Sequence, residues 1–307
     1  MRIGVDLGGS KIEGILLSDS GVVAEKIRVD TPGGDYQSTL SALCNVIDQL
    51  QGTATDMYCV GVGTPGALSL PSEVMKNSNS VCLNGKPLKK DIEHRLGYSV
   101  RIENDANCFV LSEATYGVAK NVSTVFGVII GTGTGGGIVI NKQLLTGPNG
   151  IAGEWGHNAV PSSVRELMLV DRTCYCGRRN CIETVLSGRG LEQTYEDIAG
   201  DVTAQSIAPE QIAQLAEDGD QAAMDCLQLY FRQLARCLAT VVNVIDPDMI
   251  VFGGGLSNIE QLYDTVPDLM RDYVFTNKMV TQLAAPSFGD ASGARGAACL
   301  WPLEESA

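Results

Sequence analysis

Histidine is nearly missing from this 307-residue chain, which has two, and basic residues are few. Twenty-two Lys and Arg stand against 36 Asp and Glu, a net charge of −14. So acidic a balance argues against nucleic acid or an anionic membrane as partner, because both are held by cationic contacts. It does not exclude a nucleotide, since backbone N–H groups hold phosphate locally. No apolar run reaches membrane-spanning length, and the N-terminus lacks the regions of a signal peptide. Without an export signal, the ten cysteines are expected as reduced thiols in the cytoplasm rather than as a disulfide framework. No Gly-x₄-Gly-Lys-Ser/Thr run occurs, which excludes a P-loop. Low-complexity segments and long linkers are absent too. With 44% hydrophobic and 19% charged residues, the length suffices for two domains with cores of their own.

One of the two histidines stands ahead of a run of cysteines. His157, in Gly-Glu-Trp-Gly-His, is followed by Cys174, Cys176 and Cys181 in Cys-Tyr-Cys-Gly-Arg-Arg-Asn-Cys-Ile-Glu. One imidazole and three thiolates suit a four-coordinate structural Zn²⁺. The alternative is a set of core cysteines with a core histidine. That alternative is adopted for Cys44, Cys59, Cys82, Cys108, Cys226, Cys237 and Cys299, which lie scattered in apolar context and behave as small hydrophobes. Glu154 and Glu183 flank the candidate ligands, so the knuckle borders carboxylates able to serve a polar ligand.

The N-terminal stretch reads as strand, glycine turn, strand. Ile3 to Val5 is apolar, Asp6 breaks the run, Gly8-Gly9 turns and Ile12 to Leu17 resumes, with a third strand from Val22. The pattern returns mid-chain: Val125 to Ile130, a turn from Gly131 to Gly137, then Ile138 to Ile140. This weak repeat predicts two related α/β domains facing a cleft. Helical spacing appears in Tyr36 to Leu50, Ala106 to Gly117 and Gln221 to Val244, the last strongly apolar. Asp248 to Phe252 reads as a strand closed by Gly253-Gly254-Gly255, and Ser292 as the cap of a last helix. Hinges are expected near Gly117–Ser123 and Phe288–Ser292.

Three glycine turns thus follow apolar strands, at Gly8, Gly131 and Gly253. Each alone reads equally well as a tight hairpin, but three in one chain favour a nucleotide, whose phosphates need close backbone approach. Gly131-x-Gly133-x-x-Gly136 matches the dinucleotide fingerprint as a string only. That motif must open a helix, and an apolar strand follows here. Asn104-Asp105 falls between a strand and a helix, where a carboxylate can project into a cleft; the competing reading is helix capping.

These motifs together resemble the ROK family of sugar kinases, in the actin/hexokinase superfamily. The residues that carry the resemblance are Asp-Leu-Gly-Gly-Ser-Lys (6–11), Gly-Val-Gly-Thr-Pro-Gly (61–66), Glu-Asn-Asp-Ala-Asn (103–107), Ile-Gly-Thr-Gly-Thr-Gly-Gly-Gly (130–137), Gly-Glu-Trp-Gly-His (153–157), the cysteine run through Glu183, and Phe-Gly-Gly-Gly-Leu (252–256). They fall in family order across nearly the whole chain. Ser10 stands where the family usually has threonine, keeping the hydroxyl.

The resemblance implies an α/β, two-domain actin-like ATPase (ribonuclease H-like) fold with a cleft between the domains. Residues 1–118 would form the small domain, with a helix at about 291–307 packing back onto it. Residues 119–290 would form the large domain, with a zinc-binding insertion at about 157–183. Asp105 would be the catalytic base, and Asn79, Asn104, Asp105, Glu154, His157 and Glu183 would bind the sugar. Gly8, Gly9, Ser10 and Lys11 with Gly131, Thr132, Gly133 and Thr134 would hold the phosphates of ATP, Gly254 and Gly255 would border adenosine, and Asp6 would orient Mg²⁺ through water. Zn²⁺ on one nitrogen of His157 would leave the other facing the sugar. The family's repressors carry a helix-turn-helix ahead of the first glycine motif, for which no room is expected before Asp6. The reaction implied is phosphorylation of the 6-hydroxyl of a hexose, in a cytoplasmic homodimer. Lys76-Asn-Ser-Asn-Ser80, Leu83-Asn-Gly-Lys-Pro87 and Trp155 look most like the fructokinase/mannokinase branch, so fructose is expected ahead of mannose. The alternatives are N-acetylglucosamine or N-acetylmannosamine kinase and, in another class, a non-catalytic sugar sensor.

Overall fold

The computed structural model describes residues 1–53, 59–69, 72–200 and 207–302. The end of the expected C-terminal helix, 303–307, lies outside them. From the N-terminus, β1 (Arg2–Leu7), β2 (Lys11–Leu17) and β3 (Val23–Asp30) lead into α1 (Tyr36–Thr53). Then come β4 (Cys59–Thr64), the short β5 (Ala67–Ser69) and β6 (Val74–Lys76), α2 (Leu88–Leu96), β7 (Arg101–Asn104) and α3 (Asp105–Thr115). β8 (Thr124–Ile130), β9 (Thr134–Ile140) and β10 (Gln143–Leu144) follow, then α4 (Ser162–Arg165), α5 (Glu183–Leu186), α6 (Gly188–Ala199), α7 (Pro209–Glu217) and α8 (Gln221–Ile245). The chain closes with β11 (Met249–Gly253), α9 (Gln261–Met270), β12 (Gln282–Ala284) and α10 (Ser292–Cys299).

Two five-stranded sheets carry this order, β3-β2-β1-β4-β7 and β10-β9-β8-β11-β12. The order is the same in both, which gives the internal repeat its structural content. In the first sheet, β1 to β3 are antiparallel and β4 and β7 add in parallel. In the second, β11 lies parallel between β8 and β12. Asp6 does not interrupt β1: it pairs with Glu13 on one side and Gly63 on the other. A charged residue survives inside a strand because its side chain leaves the sheet at the end where the glycine turn begins.

The chain packs as two compact units. One comprises Met1–Asn121, Gly137–Ala152 and Ser287–Ala307, and the other Val122–Gly136 and Gly153–Pro286. In the first, Leu40, Leu43, Ile47 and Leu50 of α1 pack on Ile3, Val5, Leu7, Val60 and Val62 of the sheet. The i, i+3, i+4 spacing seen in the sequence is therefore the buried stripe. In the second, α8 is the core helix, and its fully buried Tyr230 donates its hydroxyl to Leu186 O at 2.9 Å. A buried Tyr needs such a partner. No cysteine is disulfide-bonded, and Cys44, Cys108, Cys226, Cys237 and Cys299 are buried. Among the described residues no helix is long and apolar enough to cross a membrane.

Ser292 is not the cap of α10. Ala291 holds that position, and the Ser292 hydroxyl donates to Glu113 Oε1 at 3.1 Å. Glu113, fully buried in α3, also accepts from Val118 N, Ser287 N and Phe288 N at 3.2, 2.9 and 3.1 Å. Four donors satisfy this carboxylate, and they tie α3 to the segment from which α10 starts.

Candidate active site

In the first unit, the β1–β2 turn is braced from behind. Gly8 N–H donates to Lys11 O, Thr31 N–H to Ser10 O, both at 2.9 Å, and Thr31 Oγ1 to Gly8 O at 2.8 Å. Gly9, Ser10 and Lys11 are left exposed, as a phosphate-binding turn requires.

Asn104 ends β7 and caps α3, its Oδ1 accepting from Asn107 N at 2.7 Å. Glu103 lies beneath, accepting from Asn104 N and Asn107 Nδ2, each at 3.0 Å; burial raises its pKa. Asp105, next in the chain, is the first helical residue and exposed, with Oδ1 accepting from Ala106 N at 2.8 Å. The capping function therefore falls to Asn104. Asp105 presents a carboxylate at the positive end of a helix, where an anion is stabilised.

Asp6 lies close to Asp105. A Cβ on Gly293 would come within 2.5 Å of the Asp6 carboxylate, so glycine at that position lets α10 start against it. The Asp6 pKa is raised from 3.8 to about 7, first by burial, then by Asp105 and Glu13, with Arg28 acting in the opposite sense. Between roughly pH 4 and 7 the folded protein then holds a proton that the unfolded chain has released, so stability falls as pH rises through that window. In magnesium-free buffer, Asp6→Asn is expected to melt at a higher temperature than the wild type at pH 8, the gap closing towards pH 4. Thermal melts of both proteins across this range test it; parallel curves would show Asp6 ionised throughout.

Asn79 is exposed, in a cavity of about 660 Å³ that Gly9, Thr31, Gly33 and Ser80 also line. Its loop is fastened by Asn84, from the Leu83-Asn-Gly-Lys-Pro87 stretch that carried only a branch resemblance in the sequence. Asn84 accepts from Ser78 N and donates to Ser78 O, both at 2.9 Å. Gly66, with φ +80°, lies so close to Lys76 O and Ser78 N that a Cβ would stand 2.5 and 2.7 Å away. The last glycine of the Gly-Val-Gly-Thr-Pro-Gly motif thus supports the Asn79 loop, while Gly61 lies against Ala297 of α10.

In the second unit, the glycine turn is shorter than expected. β9 begins at Thr134, so only Gly131 to Gly133 form the turn, closed by Gly131 N–H to Gly133 O at 3.0 Å. Gly254 (φ +85°) approaches it so closely that a Cβ would be 2.5 Å from Ile130 O. The turns after β8 and β11 therefore adjoin. A cavity of about 390 Å³ lies between Gly131, Thr132 and Gly255, with Gly188, Arg189, Glu192, Pro209 and Glu210 completing its wall. It shares Pro209, Glu210, Gly255 and Leu256 with a second cavity of about 500 Å³. α6 and α7 residues had no sequence signal for this role, since only folding brings those helices to the glycine turns.

His157, Cys174, Cys176 and Cys181 converge, with all four ligand atoms within 4.8 Å of one another. His157 Nδ1 is 3.6 Å from Cys174 Sγ, and Cys176 Sγ is 3.6 Å from Cys181 Sγ. Tetrahedral bonds of about 2.3 Å to sulfur separate ligand atoms by roughly 3.5–3.8 Å, so the donor set fits Zn²⁺. The Arg178 backbone N–H favours the Cys176 thiolate, whose pKa is lowered to about 6. His157 Nε2 meets the exposed Tyr175 hydroxyl at 2.9 Å. Glu154 caps the short turn Trp155–His157 without a side-chain cap bond. Glu183 sends Oε2 to Thr134 N at 3.0 Å, with Oε1 3.8 Å from Cys174 Sγ. The Thr134 N–H expected for phosphate is thereby engaged by a carboxylate expected for sugar.

Trp155 is a core residue. It is buried, its indole donates to Gly135 O at 2.8 Å, and its ring packs edge-on against Phe126. An aromatic with its polar tip satisfied in this way is held rigidly in the core.

Comparison with known proteins places these features in a family. Residues 2–304 match the ROK family. An N-acetyl-D-glucosamine kinase of Pectobacterium atrosepticum is 36% identical over 304 residues, covering 98% of each chain. An N-acetylgalactosamine kinase of a Shewanella species is 37% identical over 303 residues, covering 98% of this chain and 96% of the relative. The crystal structure of a ROK family glucokinase from Streptomyces griseus, in complex with glucose and AMPPNP, superposes with a TM-score of 0.78 at 28% identity, over 97% of this chain and 98% of that one.

Proposed function

The chain belongs to the ROK family, with its two-domain sugar-kinase fold, and from that premise we propose that it transfers the γ-phosphoryl group of ATP to the 6-hydroxyl of an N-acetylhexosamine. The observation that carries the sugar is full-length similarity, at 36% and 37% identity, to relatives named for N-acetylglucosamine and N-acetylgalactosamine. These findings favour the N-acetyl alternative over fructose.

Phosphoryl transfer asks the protein mainly for alignment, charge neutralisation and a base for the attacking hydroxyl. The first unit supplies the base, Asp105, on a helix start whose cap is already provided by Asn104. The same unit supplies Asn79 and Asn104 for sugar hydroxyls and the Gly8–Lys11 turn for phosphate. The second supplies the turn at Gly131–Gly133, with Gly254 and Gly255 bordering adenosine, and Glu154, His157 and Glu183 for the sugar. A sugar hydroxyl at His157 Nε2 takes the place of the Tyr175 hydroxyl. Asp6 would hold Mg²⁺, which would supply charge neutralisation for the phosphates. Zn²⁺ on His157, Cys174, Cys176 and Cys181 fixes the imidazole orientation. The resemblance also implies a homodimer, which light scattering reads directly.

A coupled ADP-release assay across N-acetylglucosamine, N-acetylmannosamine, N-acetylgalactosamine, fructose, mannose and glucose tests the reading. An N-acetylhexosamine is expected to have the highest kcat/KM, at least tenfold above fructose, about 1.4 kcal/mol in transition-state binding. Fructose in first place would restore the other branch. No sugar-dependent ADP release with any of the six would leave a sugar sensor.

A further inference from the structure

The glycine turn at Gly131–Gly133 does not stand alone. The peptide between Gly133 and Thr134 is held at both ends: its C=O accepts from Gly131 N at 3.0 Å, and its N–H donates to Glu183 Oε2 at 3.0 Å. Gly188 N–H adds a bond to Gly131 O at 2.7 Å. A Cβ on Gly133 would stand 2.8 Å from Glu183 Oε2, so glycine there is what allows the carboxylate to lie against the turn. The turn is therefore seated on the segment from Glu183 to Gly188, which begins two residues after Cys181.

That segment is in turn clamped to the knuckle. Arg172, just ahead of Cys174 and largely buried, donates to Thr184 O and Gly190 O at 2.9 Å each, to Thr194 Oγ1 at 3.1 Å and to Asp197 Oδ2 at 2.8 Å. Asn180 locks the knuckle loop: Arg172 N–H donates to Asn180 Oδ1, and Asn180 N–H to Arg172 O, both at 2.8 Å. A metal ion holding Cys174, Cys176 and Cys181 would thus fix the N-terminal flank of the segment that carries Glu183, while Arg172, two residues ahead of Cys174, holds its C-terminal side.

We propose that Glu183 is a positioning residue for the phosphate turn, and that through it the metal knuckle sets affinity for the phosphate donor as well as shaping the sugar site. The physical reason is preorganisation. N–H groups that point at a phosphate bind it without reorganisation only if their peptide planes are already fixed. Glu183 fixes the plane that closes this turn. The proposal rests on reading Gly131–Gly133 as a phosphate site.

The test is Mg·ADP binding by calorimetry, without sugar, to wild type, Glu183→Gln and Glu183→Ala, each checked for zinc content. Glutamine keeps an oxygen that accepts from Thr134 N–H; alanine keeps none. The alanine variant is expected to raise the ADP Kd tenfold or more at unchanged zinc content, with the glutamine variant within about threefold of wild type. Equal Kd values in all three would overturn the positioning role and leave the kinase reading intact. A wild type that binds no nucleotide would remove both. Should the alanine variant not fold, hydrogen exchange of the Thr134 amide in wild type, with and without zinc, decides the point. Protection lost with the metal supports the coupling, and protection unchanged overturns it.

Discussion

Replacing Asp105 with asparagine is expected to lower kcat by roughly 10²–10⁴, the usual worth of a positioned general base, while sugar and nucleotide affinities stay near wild type. The structure makes this substitution unusually clean. The α3 cap is Asn104, bonded to Asn107 N, so Asp105→Asn leaves the cap in place. Asp105 is exposed, and the amide oxygen of asparagine can still accept from Ala106 N, as Asp105 Oδ1 does. The substitution also removes one anion at a helix start, on the order of 0.3–1 kcal/mol. This loss is offset in part because Asp105 is one of the carboxylates that oppose ionisation of Asp6. The melting temperature should therefore change little. Steady-state kinetics on folded variant is the measurement, and a kcat within about threefold of wild type would remove Asp105 from the chemistry.

Loss of the knuckle metal should have the next largest effect. Purified protein is expected to carry about one Zn²⁺ per chain by elemental analysis, and Cys176→Ala to carry little. A metal present at 100 to 1,000 times its dissociation constant stabilises the folded state by about 3–4 kcal/mol. For a chain of this size, that corresponds to a fall in Tm of roughly 6–16 °C on removal. Cys176 is the exposed member of the set, whereas Cys174 and Cys181 are buried, so its truncation leaves no cavity in the core and reports on the metal. Catalysis should fall with stability, because His157 Nδ1 faces the cluster and loses its fixed orientation without it. Zinc-free protein with wild-type Tm and activity would refute the assignment.

The knuckle also shows how far spacing alone carries. Three cysteines within eight residues are bound by chain connectivity to lie near one another, so Cys174, Cys176 and Cys181 were legible as a group. His157 joined them because it is one of only two histidines in the chain and stands just ahead of the run, and its distance from Cys174 needed the fold. Leu40, Leu43, Ile47 and Leu50 were legible for a different reason: a helix converts a period in sequence into one face, and that face is buried. The same local logic failed at Ser292, where a good capping residue is instead drawn to the buried Glu113. It failed at Asp6, which looked like a strand breaker and lies within β1. At Trp155 the sequence offered only a branch resemblance, and its neighbours in space are Phe126 and Gly135.

Glycine turns after strands, an acid at a strand–helix junction and a metal-ligand spacing are local chemical facts, and the amino-acid sequence determined them by itself. So too was the repeated pattern of strand, glycine turn and strand, since each hairpin is closed by the residues between its strands, whereas the parallel strands beside the hairpins were placed by the fold. The fold alone decided which carboxylate serves which partner. Glu183 meets Thr134, 49 residues away along the chain. Asp6 is buried within electrostatic range of Asp105, and its pKa is raised to about 7. Arg189 and Glu210, from separate helices, reach the wall of one cavity with Gly131 and Gly255. The physical reason is that a polar side chain's partner depends on the packing of elements distant in sequence. Hydrogen-bond and charge energies vary steeply over an ångström or two, and no pattern of residues along the chain encodes distances that fine.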